Sequence, residues 1–313
     1  MTMKKIIAFI ITVTMLTLTF AGCGADNTGN TTGSGDQTGE NGAETGENSA
    51  PPAETGSKQS VKVIDIPLTQ EEYAFGVDKN QPEFLEEVNK FIAQIKEDGT
   101  YDKIINNYFG DGEPQTLTSA EPDSAKDQLI VATNAGFEPF EYTVGDKYAG
   151  IDMEIAALLA EQLGKELVIS NMDFDAVCLS VGQGKADIAM AGLTIKEDRK
   201  EYVAFSDKYY DAAQKIIVKA DDTTFDGAKT KEDVEAILSG LGSDTKIGVQ
   251  TGTTGQFYVE GDESWGFAGY DAECVGYKSG SLAVQDMLNG NISYVIIDEA
   301  PAQFITEAIN ELN

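Results

Sequence analysis

Three groups of side chains in this sequence have the chemistry to hold a small dipolar molecule. Arg199 closes the stretch "LTIKEDR". Its planar guanidinium can make two parallel bonds to a carboxylate, although an arginine among charges is also an ordinary solvated residue. The loop "QTGTTG" (250–255) sets Gly252, Thr253 and Thr254 ahead of an expected helix. Free backbone N–H groups and the helix dipole there face an anion, and a plain capping turn uses the same residues. Asp298 follows the apolar strand "YVII", at the carboxyl end where ligands of parallel sheets sit. A carboxylate there suits an ammonium, or caps the helix that Pro301 helps to open. Phe137 and Phe174 offer faces that exclude water and pack an aliphatic stem, or they fill core.

The elements that must position these residues follow from periodicity. "VKVIDI" (61–66) alternates and is rich in β-branched residues, so it reads as a strand ended by Pro67. "EYAFGV" (72–77) reads as a second. Pro82 opens a helix whose Phe84, Leu85, Val88, Phe91, Ile92 and Ile95 form one apolar stripe. A short helix carrying Tyr101, Ile104, Ile105, Tyr108 and Phe109 comes next. From 128 the chain alternates: strand "LIVAT", helix "IDMEIAALLAEQLGK" capped by Gly164, strand "LVIS", a helix and turn at "DFDAVCLSVGQGK", strand "DIAMAG". "KIIVKA" (215–220) is a strand leaving this unit. A helix capped by Thr230, strand "KIGVQ", a helix near 254–259, a helix from Ser281, strand "YVIID" and helix "PAQFITEAINEL" complete a second unit. This rhythm predicts α/β lobes with mostly parallel sheets covered by helices.

Composition narrows the function. The 313 residues carry 53 acidic and 22 basic side chains, a net charge of −31. That argues against nucleic acid and against polybasic docking on anionic lipid. The absence of histidine excludes a Ser-His-Asp or Cys-His nucleophile and any histidine-ligated metal. Three scattered cysteines make neither a disulfide scaffold nor a zinc knuckle. Neither a cofactor nor a metal is expected.

Lys4 and Lys5 precede the uncharged apolar run Ile6–Phe20, shorter than the roughly 20 residues of a comfortable membrane span. With Ala21-Gly22-Cys23 it reads as a signal peptide over 1–22. The Cys resembles that of a bacterial lipobox, with cleavage before Cys23 and a lipid on its sulfur. Residues 23–60, rich in Gly, Thr, Asn and Glu, offer almost nothing to bury and read as a disordered tether. Residues 111–127 read as a polar, flexible linker.

From 128 onward the sequence resembles the family 3 extracellular solute-binding proteins, the polar amino acid receptors of ABC importers. The resemblance rests on "VATNAGFEPFEY" (131–142), "GIDMEIA" (150–156), "DFDAV" (173–177), "GKADIAMAGLTIKEDR" (184–199), "FSDKYYDAAQ" (205–214), "KIGVQTGTTG" (246–255) and "NGNISYVIID" (289–298). Family members continue past the equivalent of Asn313 with a last strand, a crossover and two helices. Here a segment of that kind stands at 61–110, so the order reads as a circular permutation with the old termini joined at 111–127.

The resemblance implies a two-lobe, type II periplasmic-binding-protein-like fold with two hinge crossovers, near 215–219 and 68–72. One lobe takes 128–216 with about 71–110, the other 217–313 with 61–70. It implies that Arg199 grips the ligand's carboxylate together with Thr253 and Thr254, and that Asp298 takes its ammonium. The backbone of Gly192 and Leu193 and the hydroxyl of Thr194 are expected to add bonds, and Phe137 and Phe174 to form walls. Asn134 stands where some members have an Asp facing a cationic side chain. Cys178 and Cys274 are expected as buried free thiols, one in each lobe.

The function so implied is binding without catalysis. The partners are a free amino acid, an ABC permease and, through the lipid on Cys23, the extracytoplasmic face of a bacterial membrane. The protein is expected as a monomer. The alternatives are a ligand-binding sensor domain and a cyclohexadienyl-dehydratase-like enzyme on the same fold.

Overall fold

The computed structural model describes residues 60–312; the signal peptide, Cys23 and the tether expected before Ser60 lie outside them. In chain order the strands are β1 (Val61–Ile64), β2 (Glu71–Tyr73), β3 (Gly76–Asp78), β4 (Gln128–Thr133), β5 (Gly136–Phe137), β6 (Glu141–Val144), β7 (Lys147–Ala149), β8 (Glu166–Asn171), β9 (Ile188–Ala189), β10 (Val203–Phe205), β11 (Tyr210–Ala212), β12 (Gln214–Lys219), β13 (Lys246–Gln250), β14 (Glu273–Tyr277) and β15 (Tyr294–Asp298). The helices are α1 (Pro82–Glu97), α2 (Thr100–Phe109), α3 (Ile151–Leu163), α4 (Val177–Gly182), α5 (Lys231–Ser239), α6 (Thr254–Glu260), α7 (Gly280–Leu288) and α8 (Glu299–Glu311). Among the described residues no helix is long and apolar enough to cross a membrane.

Two five-stranded sheets carry the two lobes, in the orders β10-β3-β9-β4-β8 and β1-β12-β15-β13-β14. The first pairs β4 with β8 and β9 in parallel; the second pairs β13 with β14 and β15 in parallel. The segment 61–110 supplies both. Its β1 is the antiparallel edge strand on β12, with Val61 opposite Lys219. Its β3 lies inside the other sheet, between β10 and β9. Helices α1 and α2 bury Val88, Phe91, Ile92, Ile95, Ile104 and Tyr108 in the same core as Met153, Ile155 and Leu159 of α3. The stripe read from the sequence is therefore the face that seals the first lobe.

Three expectations are corrected. The strand read at 72–77 is two strands, because at Ala74 and Phe75 the backbone N–H groups turn to Leu193 O and Ser206 Oγ. The crossover expected near 215–219 falls at 212–214, since β12 begins at Gln214 and lies wholly in the second sheet. That places the lobe boundary before 216. Residues 111–127 are not a free coil. Leu117 bridges Tyr148 in both directions, Ala120 N–H donates to Leu167 O, and Gln115 N–H donates to Glu154. One large apolar side chain, Leu117, half-buried against the core, suffices to pin this strap. The sequence reading also missed β5–β7 and β14, which are short strands of mixed polarity.

The crossovers touch through β2 and β11, paired antiparallel with Tyr73 opposite Tyr210. Leu68 N–H donates to Gln214 O and Gln214 N–H to Thr69 Oγ1. Cys178 is buried and Cys274 half-buried, both free. Burial of Cys274 is thus only partial.

Candidate functional site

The carboxyl ends of β4 and β9 in one lobe face those of β13 and β15 in the other. Asp298, the last residue of β15, is 4% exposed. Its Oδ1 accepts a 2.5 Å bond from the hydroxyl of Tyr73, at the end of β2. It does not act as a side-chain cap for α8. Burial, then the negative charge of Glu71, push its pKa up to about 7; bonds from Tyr73 and Gln214 partly offset this. Glu71 is itself buried and bonded to Thr69, Thr194 and Gln214 at 2.6–3.0 Å. Two carboxylates thus share one dry corner of the hinge, where a positive charge would be welcome.

Arg199 is 8% exposed, not a solvated surface residue. Its guanidinium donates to Thr194 O at 2.8 Å and, across the lobes, to Gly252 O at 3.1 Å. It lies 5.1 Å from the centre of the Phe174 ring. Gly252 has φ +79°, and a side chain there would press on Asp175 at 3.2 Å, so glycine is required for this approach. Thr194 Oγ1 donates to Glu71 and lies 3.4 Å from Thr254 Oγ1 of the other lobe. Tyr73 and Thr194 form a β-bridge, which links the Asp298 corner to the Arg199 corner.

The remaining expected residues fall around this line. Phe137 is buried against Gly192, where an added Cβ would meet its ring at 2.9 Å. Asn134 is bonded across the lobes: Gln250 Nε2 donates to its Oδ1 at 2.9 Å. Some groups expected to bond a ligand are spent within their own lobe. Gly192 N–H donates to Asp152 Oδ2 at 2.9 Å, and Leu193 O accepts from Ala74 N–H. Thr253 Oγ1 donates back to Gln250 O at 2.8 Å, the capping-turn alternative.

Behind Phe137 lies a second acidic pair. Both Glu141 oxygens are buried without a partner among the described residues. Burial, then Asp152 and Asp298, raise the Glu141 pKa well above the usual range. Asp152 is pushed up to about 7 by burial, partly offset by Gly192 N–H and Tyr209. Hollows of about 310 Å³ beside Pro67–Gln70 and about 200 Å³ beneath Phe84 and Leu129 lie away from the crevice.

The sequence profile of the bacterial extracellular solute-binding proteins, family 3, matches residues 6–111 and 129–301. This chain belongs to that family. Among similar curated proteins, the arginine-binding extracellular protein ArtP of Bacillus subtilis is 38% identical over 99 residues, 32% of this chain and 39% of ArtP. A probable histidine-binding protein of Neisseria gonorrhoeae is 28% identical over 193 residues, 61% of this chain and 65% of the relative. The chain thus spans less than two thirds of these relatives' lengths. The crystal structure of an ancestral amino acid-binding protein, AncCDT-1, described as a precursor of cyclohexadienyl dehydratase, superposes with TM-score 0.50. It is 30% identical and covers 58% of this chain and 74% of its own. This family 3 chain therefore has the two-lobe, type II fold its sequence suggested.

Several residues that line this crevice escaped the sequence. Tyr73, Glu71, Gln214 and Gln250 are uncharged or ordinary in their local contexts, and only tertiary folding gathers them. Lys196 is the least expected. Its side chain is 2% exposed, paired with Asp198 at 3.1 Å and, across the lobes, with Asp262 at 2.8 Å. Its Nζ sits 3.2 Å above the Phe257 ring. Only the low polarity of "GLTI" (192–195) just before it hinted that the following turn is buried.

Proposed function

We propose that this chain is an extracytoplasmic receptor that closes its lobes around a free amino acid and delivers it unchanged to an ABC importer. The observation that carries this reading is the opposition of Arg199 and Asp298 in one crevice. Arg199 of the first lobe reaches Gly252 O of the second, and Asp298 of the second reaches Tyr73 of the first. A ligand carboxylate takes the place of the carbonyls on Arg199 and gains the hydroxyls of Thr194 and Thr254. The α-ammonium enters the Asp298 corner, neutralises the repulsion from Glu71 and returns Asp298 to its ionised form. Because its two ends engage different lobes, the ligand binds the closed state better than the open one, which is what drives closure. Phe137 and Phe174 exclude water from the stem.

The binding roles in the names of the relatives support this reading over catalysis. On it, Cys23 carries the lipid anchor and the protein acts as a monomer. The order of elements is a circular permutation. The gap between the two matched segments, 112–128, coincides with the strap that joins α2 to β4.

Calorimetric titration of the purified chain with the common amino acids and cystine tests the reading. At least one ligand binds and is recovered intact by chromatography, and Arg199→Ala abolishes its heat of binding. Unchanged affinity in that variant refutes the site; a chemically altered ligand refutes the receptor.

A further inference from the structure

Glu71 is buried in the hinge, and its three hydrogen-bond donors are all neutral. Thr69 Oγ1 donates to it at 2.6 Å, Thr194 Oγ1 at 2.7 Å and Gln214 Nε2 at 3.0 Å. Among the described residues no cation pairs with its carboxylate. Lys215, next along β12, is turned to Asp65 and Glu299, and Arg199 is held by carbonyl oxygens.

Two registers fix where this charge stands. On β2, residues 71 and 73 share the buried face while Glu72 between them is exposed, and Tyr73 donates to Asp298. On β12, Gln214 lies opposite Asp298 in the antiparallel ladder, so their side chains are neighbours on one face. Gln214 in turn donates to Glu71. Glu71 and Asp298 therefore stand on either side of one amide. The other titratable groups around Asp298 are Tyr73, Tyr210 of β11, Glu141 of β6 and Glu299 of α8, and none of them is positive. Burial and then Glu71 hold the Asp298 carboxyl up at about 7, so near neutrality much of the empty protein carries a proton there.

We propose that Glu71 is a positioning residue that acts through Asp298: its uncompensated charge keeps a proton on the empty site, uptake of an amino acid's ammonium expels that proton, and acid surroundings release the ligand. This rests on the receptor reading above and deepens it. The ammonium favours ionised Asp298, so one carboxyl O–H breaks and its proton passes to solvent. Affinity is full above the range in which Asp298 titrates and falls as pH drops through it.

The test is calorimetric titration of the full chain in buffers of high and low ionisation enthalpy. The probes are the common amino acids whose side chains do not titrate between about pH 5.5 and pH 8, L-arginine and L-glutamine among them. We expect ~0.5 proton released per ligand bound at pH 7, and affinity ~30-fold weaker at pH 5.5 than at pH 8. Glu71→Gln keeps an oxygen for Thr69 and Gln214 and turns an N–H to Thr194 Oγ1, which can accept it. In that variant the ratio between the two pH values falls to within ~3-fold. A merely structural loss weakens binding alike at both and leaves the ratio unchanged, which overturns the role of Glu71. Absence of proton release from the unaltered protein at pH 7 overturns the proposal whatever the variant does. Either result leaves the receptor reading standing, whereas no binding of any amino acid at pH 8 overturns both.

Discussion

Replacing Lys196 by Met should weaken ligand binding by about 30- to 150-fold without touching the ligand. The ammonium makes one contact within its own lobe, to Asp198, and two across the lobes, to Asp262 and the Phe257 face. Opening the lobes spares the first and breaks the other two, so only those two bias the equilibrium toward closure. Methionine keeps the stem packed on Phe257 and removes the charge. Truncating one partner of a desolvated, hydrogen-bonded pair costs ~2–5 kcal/mol. The lower end applies here, because Asp262 keeps its Ser264 bonds and is 19% exposed, free to rehydrate. The cation–π contact is part of that loss, ~1 kcal/mol. A net ~2–3 kcal/mol corresponds to the stated fold-change. Stopped-flow measurement should place it in the dissociation rate, since the latch forms after the ligand has entered. In a double-mutant cycle, Asp262→Asn should add little to Lys196→Met. A dissociation rate within twofold of the unaltered protein, or strictly additive losses, would refute the reasoning.

Asp298→Asn should bind no amino acid yet make the ligand-free protein more stable above pH 7. The raised folded pKa, about 7 against 3.8, means the unaltered protein loses stability as pH climbs through that window. That loss is on the order of 2–4 kcal/mol. Melting curves at pH 4 and pH 8 should nearly coincide at the lower pH and separate by several degrees at the higher; separation at pH 4 instead would contradict the assignment. Removing 61–110 should give insoluble or molten protein, because β3 is an interior strand. A well-folded, ligand-competent remainder, judged by near-UV dichroism and titration, would argue against the permuted order.

Much of the frame could be read from residue order. The α1 stripe, the β4-α3-β8 unit and Asp298 at a strand end each follow from a local pattern that tertiary packing then reinforces. The hinge could not. Tyr73 reaches Asp298 over a separation of 225 residues and Gln250 reaches Asn134 over 116, and nothing local in either segment encodes the pairing. Lys196 and Glu141 defeat composition-based reading for a related reason. Charge in a sequence predicts exposure on average, whereas both are buried here, Lys196 paired with two carboxylates and Glu141 with its pKa raised well above the usual range by burial. Thr253 shows the opposite limit: a motif can be placed correctly while its hydroxyl is consumed by its own turn.

Asn310 on α8 clasps the first described residues, accepting from the N–H groups of Ser60 and Val61 and donating to Val61 O at 2.8–3.2 Å. The leading segment of the polypeptide is therefore moored to the second lobe. On the proposed receptor reading, a pull applied through Ser60 loads the β1–β12 ladder of the second lobe and leaves the crossovers slack, so the first lobe is the one free to swing.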